Sequence, residues 1–494
     1  MPQHDFFVDL HCHPTYKPFG RSFRMGTPGQ ASNRPGDLNS VWNYDPPGAG
    51  DKLLNFVKGL TRFSQANLTA AAYGRTGVMT VSLGSIEKGF FRTKLGTGAL
   101  ADLVSEFTAG LSVPRINHIQ NMTDYFADLL LEWDFLLANN EKFTRIDGMN
   151  YAYSIVSSFQ ELEAVMDFND SELEAKMRNP RHAVQTKIAL VLSIEGLHVL
   201  NTGLDQPVSD ADVLDKVRQI KTFDKAPFFV TFSHHFNNDL CGHARSLPPP
   251  LNRLCDQEKN IGTGFSALGE QVLRLLLDRT VGRRVLIDIK HMSALARREF
   301  FAIRDADFPK LPIIVSHGAA NGRRSMDQPT IIDSPETGEK LCPDDINFYD
   351  DEIVRVVQSN GIFGLQLDER RLADDETIRR VKHSIFRHKI LHYRTEVIWR
   401  QFRHIAELLD RNGLPSWDNL AIGSDYDGIV NPVNGIWTVE DYDDMVGYLE
   451  RHIYHYMVEE KAPGLTHDFN KISPDEIIKR ISWQNAWSFF KRNF

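Results

Sequence analysis

The chain has 494 residues, enough for one large domain or for two, and its 42% hydrophobic and 24% charged residues are typical of a globular protein. The formal net charge of −9, without a long block of one sign, argues against a nucleic-acid or membrane-surface partner, because both attract basic proteins. Four scattered cysteines without a Cys-x-x-Cys pair argue against a disulfide scaffold or a zinc ribbon. With no signal-peptide pattern and no apolar run of about 18 residues, we expect a cytoplasmic protein.

Short, nearly continuous apolar runs recur along the chain and predict strands that are buried on both faces. These runs begin at Phe6, Gly77, Ile188, Phe228, Val285, Ile313, Gly361 and Leu420. Helical patterns separate most of them, and cover residues 53–72, 129–137, 158–177, 211–221, 267–278, 294–303, 351–357 and a long region that reaches 409. A capping-box pattern, Ser473-Pro474-Asp475-Glu476, opens a final helix that continues to Phe490.

Eight strand and helix units predict an α/β fold, a closed (β/α)8 TIM-type barrel, because each helix returns the chain to a parallel neighbouring strand. No GxGxxG or P-loop sequence follows a strand, so a dinucleotide-binding sheet loses support. Residues 14–51 are rich in Pro, Gly, Asn and Ser, which predicts a long loop rather than packed elements. Residues 323–347 form a second irregular insertion. We predict one elaborated barrel domain over residues 1–494, with both insertions over the face where the strands end.

Histidine, glutamate or aspartate stands at the carboxyl end of five of the eight predicted strands. In a barrel of this type these ends meet on one face, where active sites form. The residues are His11, His13, Glu195, His291, His317 and Asp425. His11 and His13 share one face of their strand, so Cys12 should point away from them. Four imidazoles and two carboxylates suit divalent ions such as zinc, and Glu195 is the obvious group to bridge two of them.

Several segments around these residues match the motifs of one known family. They are Ser193-Ile194-Glu195-Gly196, Ile287 to Ser293, Ile313 to His317, Ile422 to Gly428, Phe232-Ser233-His234 with Asn237, and the tail Asn485-Ala486-Trp487. Together they resemble the membrane (renal) dipeptidase family of the amidohydrolase superfamily. The matches are spread from residue 8 to residue 490.

This resemblance implies a dinuclear metal-dependent dipeptidase that uses two divalent ions, Zn²⁺ by preference, and acts on small dipeptide-like molecules. It implies that His11, His13 and Glu195 hold one ion and that Glu195, His291 and His317 hold the other. A hydroxide that bridges the ions would attack the scissile carbonyl, whose oxygen contacts a metal and His234. Asp425, beside the bridging water, would take its proton and pass it to the leaving amine. The family often forms homodimers, so a homodimer is one expected assembly.

Three positions depart from the family pattern. The chain has His11-Cys12-His13 where the family usually has His-x-Asp, and Lys290 stands where a small residue is usual. The family binds the substrate carboxylate with an arginine that follows the sixth-strand histidine. Arg323 and Arg324 are the candidates for this role here, although they lie closer to His317 than expected.

Each of these residues also has a structural interpretation. Glu195 could cap the next helix, and His291 and His317 could be core histidines. Asp427 competes with Asp425 because both lie on the same face of their strand. The common position of all six residues at strand ends favours a metal site over these alternatives.

Neighbouring polar residues receive supporting roles. Asp9 is predicted to orient His11, and His198 and His235 are predicted to be supporting or structural residues. Lys290 should point away from His291 and is therefore not expected to be a carboxylated bridging lysine. Two other functions stay open from the sequence: a superfamily enzyme for another small amide, lactone or ester, and an inactive barrel that serves as a binding protein.

Overall fold

The computed structural model describes residues 5–24, 27–58, 61, 63–91, 111–204, 206–247, 251–327, 340–381, 386–429 and 431–494, with the backbone alone for 54–58, 251 and 254. Its strands form one sheet. They are β1 (Phe7–Cys12), β2 (Thr76–Leu83), β3 (Thr144–Ile146), β4 (Met149–Val156), β5 (Gln185–Glu195), β6 (Phe229–Thr231), β7 (Leu286–Asp288), β8 (Ile314–Gly318), β9 (Ile362–Leu365) and β10 (Leu420–Ile422).

The eight strands that the sequence predicts close into a parallel barrel. Their order is β1–β2–β5–β6–β7–β8–β9–β10, and β10 pairs with β1. β1 is buried along its whole length, as expected for a strand with side chains inside the barrel on one face and against helices on the other. The predicted (β/α)8 fold is confirmed.

A hairpin that the sequence analysis missed extends this sheet. β4 runs parallel to the first half of β5, from the pair Asn150 and Gln185 to the pair Val156 and Val191, and β3 returns antiparallel to β4. The two hairpin strands are joined by Asp147 and Gly148, both with positive φ (47° and 85°). An Asp-Gly pair between two strands is a strong hairpin signal, so the sequence did contain the information.

The α-helices of the described residues surround the barrel. They are Tyr16–Ser22, Ala49–Lys58, Leu68–Tyr73, Val113–Asn121, Tyr125–Leu137, Phe159–Arg178, Asp210–Thr222, Leu251–Leu254, Ala267–Leu277, Ala294–Asp307, Asp350–Gln358, Glu369–Leu372, Asp375–Val381, Arg387–Arg411, Tyr442–Tyr454, Pro474–Lys479 and Asn485–Asn493. Short 3-10 turns cover Lys88–Phe90, Leu197–Leu200, Val439–Asp441 and Asp468–Asn470, and π-helical turns cover His455–Glu459 and Arg480–Gln484. None of these helices combines the length and the apolar character needed to cross a membrane.

The last helical region covers the amino-terminal end of the barrel. As predicted, Ser473 caps it by accepting a hydrogen bond from the Glu476 backbone N–H. Its aromatic rings contact residues at the starts of strands: Trp483 lies 5.2 Å from Phe6, and Phe490 lies 5.3 Å from Phe228, between ring centroids. One end of the barrel is thereby packed with aromatic rings, and polar residues gather at the other end.

The prediction of an unpacked loop over residues 14–51 is wrong. Helix Tyr16–Ser22 lies in this segment, and Phe19, Phe23 and Trp42 are almost completely buried. The ring of Phe19 packs 5.5 Å from that of Phe135. These aromatic residues are too irregularly spaced to form a helical or strand period, so their burial could not be inferred from the pattern.

The predicted helix over residues 53–72 also differs from the structure. Two helices, Ala49–Lys58 and Leu68–Tyr73, occupy this region, and the second is capped by the Asn67 side chain. Of the second insertion, residues 328–339 lie outside the described residues. Described parts of both insertions line the cavity at the carboxyl ends of the strands, through Tyr16 and Lys17 of the first and Ile346 of the second.

Candidate metal centre

The carboxyl ends of five barrel strands bring the six predicted site residues together. His11 lies in β1 and His13 just after it, Glu195 ends β5, and His317 lies in β8. His291 and Asp425 each come three residues after a strand, β7 and β10. Backbone hydrogen bonds from Asp425 N–H to the His11 carbonyl (2.8 Å) and from His13 N–H to the Tyr426 carbonyl (2.9 Å) fix β1 against the chain that follows β10.

Glu195 lies between two pairs of imidazoles. The first pair is His11 and His13, whose Nε2 atoms lie 3.4 Å from Glu195 Oε1 and 3.1 Å from Glu195 Oε2 respectively. The second pair is His291 and His317, whose Nε2 atoms lie 3.3 Å and 3.6 Å from Oε1. Asp425 borders both pairs, with Oδ1 3.4 Å from His13 Nε2 and Oδ2 3.9 Å from His317 Nε2. The six residues therefore form two adjoining clusters that share Glu195.

Hydrogen bonds on the far side of the rings set the tautomers of His11 and His317. The Ser316 hydroxyl donates its proton to Asp288 Oδ2 over 2.6 Å, and can then only accept from the two Nδ1–H groups, at 3.1 Å (His11) and 2.9 Å (His317). His13 Nδ1 similarly faces the Ser82 carbonyl at 3.1 Å, which only accepts. In its neutral form, each of these three imidazoles therefore presents the Nε2 lone pair to the cluster.

The close approach of buried imidazole nitrogens makes this arrangement a fit for cations. His11 Nε2 lies 3.2 Å from His13 Nε2, and His317 Nε2 lies 3.3 Å from His291 Nε2. Glu195 Oε1 is buried without a hydrogen-bond partner. Several imidazole nitrogens and carboxylate oxygens buried this close together are costly unless a positive charge lies between them. The nitrogen and oxygen donors match those that zinc takes from proteins.

The electrostatics of the cluster follow from burial and close contact. Burial opposes ionisation of Glu195, but the imidazoles of His234 and His11 outweigh it and hold its pKa well below the usual range. Burial lowers the pKa of His291 to about 3 and that of His317 well below its usual value, so both imidazoles are neutral ligand candidates. For His13, hydrogen bonds to Asp425 and Glu195 overcome the effect of burial and raise the pKa.

The backbone after two of the strands is in the left-handed region. His291 has φ 65° and Asp425 has φ 61°, a region that residues other than glycine adopt uncommonly, although His, Asp and Asn enter it more often than the rest. Strain of this kind concentrates at functional sites, where the surrounding structure maintains it. Here it turns each side chain toward Glu195 immediately beyond the strand.

His234, predicted to contact the substrate carbonyl, borders the same cluster. Its Nε2 lies 3.5 Å from Glu195 Oε2, and its Nδ1 lies 2.7 Å from Glu87 Oε2. Glu87 also accepts from the Phe236 N–H, and it is buried. Burial lowers the pKa of His234 and Glu87 raises it, with a net upward shift. Glu87 was not predicted from the sequence, because it follows β2 in an irregular segment and no local pattern marks it.

Arg323 and Arg324, predicted to bind the substrate carboxylate, do not line the cavity beside Glu195. Their backbone carbonyls accept hydrogen bonds from Asp350 and Asp351 at the start of helix Asp350–Gln358, and Arg324 is exposed. Among the residues that the structure describes, the arginines that line the cavity are Arg370 and Arg371, which follow β9.

The supporting residues partly follow the predictions. Asp9 accepts hydrogen bonds from the backbone N–H of His11 and from the Ser424 and Tyr442 hydroxyls, so it orients the backbone of His11 rather than its ring. Asp427 pairs with Lys17 (2.8 Å) and accepts from backbone N–H groups of residues 65 and 66. It therefore anchors a neighbouring loop and is not an alternative to Asp425.

The other neighbours that the sequence singled out are also buried here. His198 Nε2 faces the Ser85 carbonyl at 2.7 Å, and His235 Nδ1 contacts the Ser246 hydroxyl at 2.7 Å. Lys290 lines the cavity, in contrast to the prediction that it points away, because β7 ends at Asp288 and strand alternation does not continue to Lys290. Burial, followed by the charge of Arg371, lowers the pKa of Lys290 to about 7.

A parallel (β/α)8 barrel with a shared carboxylate between two imidazole pairs defines a metal-dependent hydrolase. The membrane dipeptidase family (peptidase family M19) matches residues 144–461, more than half of the chain, and the chain belongs to this family. The predicted family and the predicted activity, a metal-dependent hydrolase of dipeptides, are thereby confirmed. A comparison with curated proteins found no match.

Solved structures with the same architecture include a metallopeptidase from Rhodobacter sphaeroides liganded with a phosphinate mimic of the dipeptide L-Ala-D-Ala. It is 14% identical, with a TM-score of 0.50 and 99% of each chain covered. A probable dipeptidase, PvdM, from Pseudomonas aeruginosa is 15% identical, with a TM-score of 0.48 and coverage of 87% of this chain and 90% of its own. The dipeptidase AC, of family M19, is 13% identical with a TM-score of 0.47, covering 90% and 93%. The first of these similarities shows a shared fold.

Proposed function

We propose that this dipeptidase uses two divalent cations, zinc by preference, with Glu195 as the shared ligand. His11 and His13 would complete one site and His291 and His317 the other, with Asp425 beside both. The observation that carries this proposal is the pairing of imidazole Nε2 atoms on either side of one buried carboxylate. Cations bound here would lower the pKa of a water molecule and polarise the scissile carbonyl.

Asp425 is proposed to carry the proton of the reaction. Its carboxylate borders both imidazole pairs and lines the cavity. From this position it can accept a proton from the attacking water and deliver it to the leaving amine. His234 is proposed to contact the carbonyl oxygen of the substrate, and Glu87 holds its ring in place through Nδ1.

Arg371 is proposed to bind the free carboxylate of the dipeptide, in place of Arg323 and Arg324. Its guanidinium contacts the Ser246 carbonyl and lies 3.2 Å from Asp344, which is itself half exposed. Arg370 is less suited, because Asp368 engages its Nε and Nη2 groups together. A carboxylate recognised by arginine is consistent with a small peptide rather than an ester or lactone.

We also propose that residues 1–494 form one domain. One hydrophobic core contains buried residues from Phe7 in the first strand to Phe490 in the last helix. Such continuity is what a single barrel with insertions requires. The homodimer and the cytoplasmic location stay predictions.

The test combines metal analysis with a panel of dipeptides, including D-residues at the second position as in the ligand of the Rhodobacter sphaeroides structure. We expect two ions per chain and hydrolysis of at least one dipeptide. Two ions without dipeptide hydrolysis would favour another small amide, lactone or ester as substrate. A chain without metal would favour the inactive binding protein.

The Asp425→Asn variant tests the proton-transfer role within the same assay. The amide has nearly the same size but cannot accept the proton, so we expect kcat to fall by about 10²–10⁴-fold. Metal content should stay at the wild-type value, since the imidazoles and Glu195 remain. Turnover at the wild-type rate would show that another group carries the proton.

A further inference from the structure

Asp425 is held through one carboxylate oxygen by a glutamine that the proposed mechanism does not use. Gln366 Nε2 donates to Asp425 Oδ2 over 2.7 Å, and Asp425 Oδ1 is left facing His13 Nε2. Gln366 directly follows β9, and its own backbone N–H donates to the Gly318 carbonyl over 2.8 Å. The glutamine is therefore fixed by the barrel, and it commits one of the two Asp425 oxygens to the protein.

Lys290 determines which way the Gln366 amide faces. Its Nζ donates to Gln366 Oε1 over 3.1 Å, which leaves the NH₂ group of the amide for Asp425. A flipped amide would bring two oxygens together at Asp425 and two donors together at Lys290. This orientation needs only an N–H on Lys290, which the ammonium and the neutral amine both possess.

The three residues form a buried chain at the wall of the cavity. Lys290 is completely buried and Gln366 is 4% exposed, and both line the cavity together with Asp425. A lysine is rarely buried to this extent without a carboxylate partner, and here the Nζ group of Lys290 donates to an amide oxygen. The sequence resemblance leads us to expect a small residue at position 290, so this hydrogen-bonded chain includes a residue that departs from the family pattern.

We propose that Lys290 and Gln366 are positioning residues that hold the Asp425 carboxylate in one orientation, with Oδ1 toward the reacting centre. This inference rests on the proposed role of Asp425 in proton transfer. Neither residue contacts the substrate in this scheme. A general acid and base must be held within a narrow range of orientations to be effective, and supporting hydrogen bonds provide that restraint.

A double-mutant cycle tests this chain. Gln366→Met and Lys290→Met remove the hydrogen bonds and keep similar side-chain volumes. We expect each to lower kcat by about 10–100-fold, as loss of a supporting partner does, with KM nearly unchanged. The double variant should be no slower than the slower single variant, because both substitutions break the same chain. Additive effects would overturn the proposal.

The main competing role for Lys290 is direct binding of an anionic substrate group. In that case Lys290→Met would raise KM, Gln366→Met would not, and the proposal would be overturned. Lys290→Arg retains an N–H donor and should recover part of kcat. If it folds and recovers nothing while Gln366→Met behaves as wild type, the chain has no positioning role.

Two further measurements separate positioning from general damage. A crystal structure of Gln366→Met should show the Asp425 carboxylate rotated or in more than one orientation, with metal content unchanged. An Asp425 carboxylate in its wild-type orientation would contradict the proposal. Lys221→Met is the matched control, because Lys221 is equally buried and donates to the Leu276 and Asp278 carbonyls. It should lower stability and leave kcat unchanged.

Failure of this inference is distinct from failure of the proposed function. If the wild-type protein hydrolyses no dipeptide, or if Asp425→Asn is fully active, the proposed function fails. If Asp425→Asn is slow but the Lys290 and Gln366 variants match the wild type in kcat, the positioning role alone fails.

Discussion

Two layers of buried carboxylates lie at the carboxyl end of the barrel, and they differ in how their oxygens are satisfied. In the lower layer, Asp288 accepts from four donors: the backbone N–H groups of Lys290 and Ser316 and the hydroxyls of Thr231 and Ser316. Asp9 likewise accepts from four donors. In the upper layer, Glu195 keeps a buried oxygen without a partner. The lower carboxylates have their oxygens fully hydrogen-bonded, as expected of residues that stabilise the scaffold. The Glu195 oxygen without a hydrogen-bond partner indicates that the upper layer is a ligand site.

The largest effect should come from removing the shared carboxylate of the upper layer. Glu195→Gln keeps the volume but lowers the negative charge between the imidazole pairs, so we expect loss of bound metal. kcat/KM should fall by about 10³–10⁴-fold, which corresponds to several kcal/mol of transition-state stabilisation. Metal analysis and steady-state kinetics measure both quantities.

Glu132→Gln provides the matched control for this substitution. Glu132 is also buried, but its oxygens accept from the Thr15 hydroxyl (2.6 Å) and the Gly84 N–H (3.0 Å). It should retain the full metal content. If Glu195→Gln also retains two ions and full turnover, the distinction between the two layers does not describe this protein.

Asp128 is a buried carboxylate paired with an arginine, and it shows how the charge of a hydrogen-bond donor affects the pKa of a buried carboxylate. Asp128 accepts from the Nη1 and Nη2 groups of Arg115, and His118 Nε2 lies 3.3 Å from Asp128 Oδ1. Burial opposes ionisation, but Arg115 outweighs it and lowers the pKa of Asp128 from 3.8 to about 2. Burial raises the pKa of Asp9 and Asp288, whose four donors are neutral. Neutral donors thus satisfy the hydrogen-bonding capacity of a carboxylate but stabilise its ionised form less than a guanidinium does.

We expect Asp128→Asn to lower the free energy of unfolding by about 3–5 kcal/mol at pH 7, because Arg115 is left buried and unpaired. A carboxyl group with a depressed pKa stabilises the fold above its unfolded value and loses that effect as the pH falls through its folded value. The difference between variant and wild type should therefore shrink between about pH 4 and pH 2. Urea unfolding across this range measures it.

An exposed ion pair serves as the control for charge removal. Glu174 pairs with Arg178 one helical turn away, and Arg178 is 80% exposed. Glu174→Gln should change stability by less than about 0.5 kcal/mol at any pH, because solvent screens the pair. An Asp128→Asn effect of the same small size, or one that grows at low pH, would contradict the explanation.

The smallest effect should come from breaking the hydrogen bonds by which the Ser316 hydroxyl connects Asp288 in the lower layer to the imidazoles of the upper layer. Asp288 acts on His11 and His317 through Ser316, so Asp288→Asn should weaken metal binding by about 10–100-fold, as expected for partners of metal ligands. Competition with a chelator measures the affinity. Asp9→Asn should instead lower stability by about 1–3 kcal/mol and leave metal affinity nearly unchanged, because Asp9 does not contact an imidazole ring. Equal metal affinities in the two variants would remove the proposed link through Ser316.

The sequence allowed the barrel and the six clustered residues to be predicted because both depend on short-range patterns. Continuous apolar runs identify strands buried on both faces, and the carboxyl ends of parallel strands meet on one face. Glu87, Arg371 and Gln366 could not be found this way. Each lies in a segment too short to show a period, and its partners come from distant parts of the chain, so the contacts exist only in the folded protein. The ligand roles of the six residues stay predictions.

The left-handed backbone at His291 and Asp425 bears on attempts to make this enzyme tolerate heat. Glycine would relieve at most about 1–2 kcal/mol of conformational energy at each position, since it adopts such dihedral angles freely. It would also remove a side chain from the cluster. Laboratory selection for thermal resistance alone will therefore tend to inactivate the enzyme at these two positions, and a screen must demand turnover at every round.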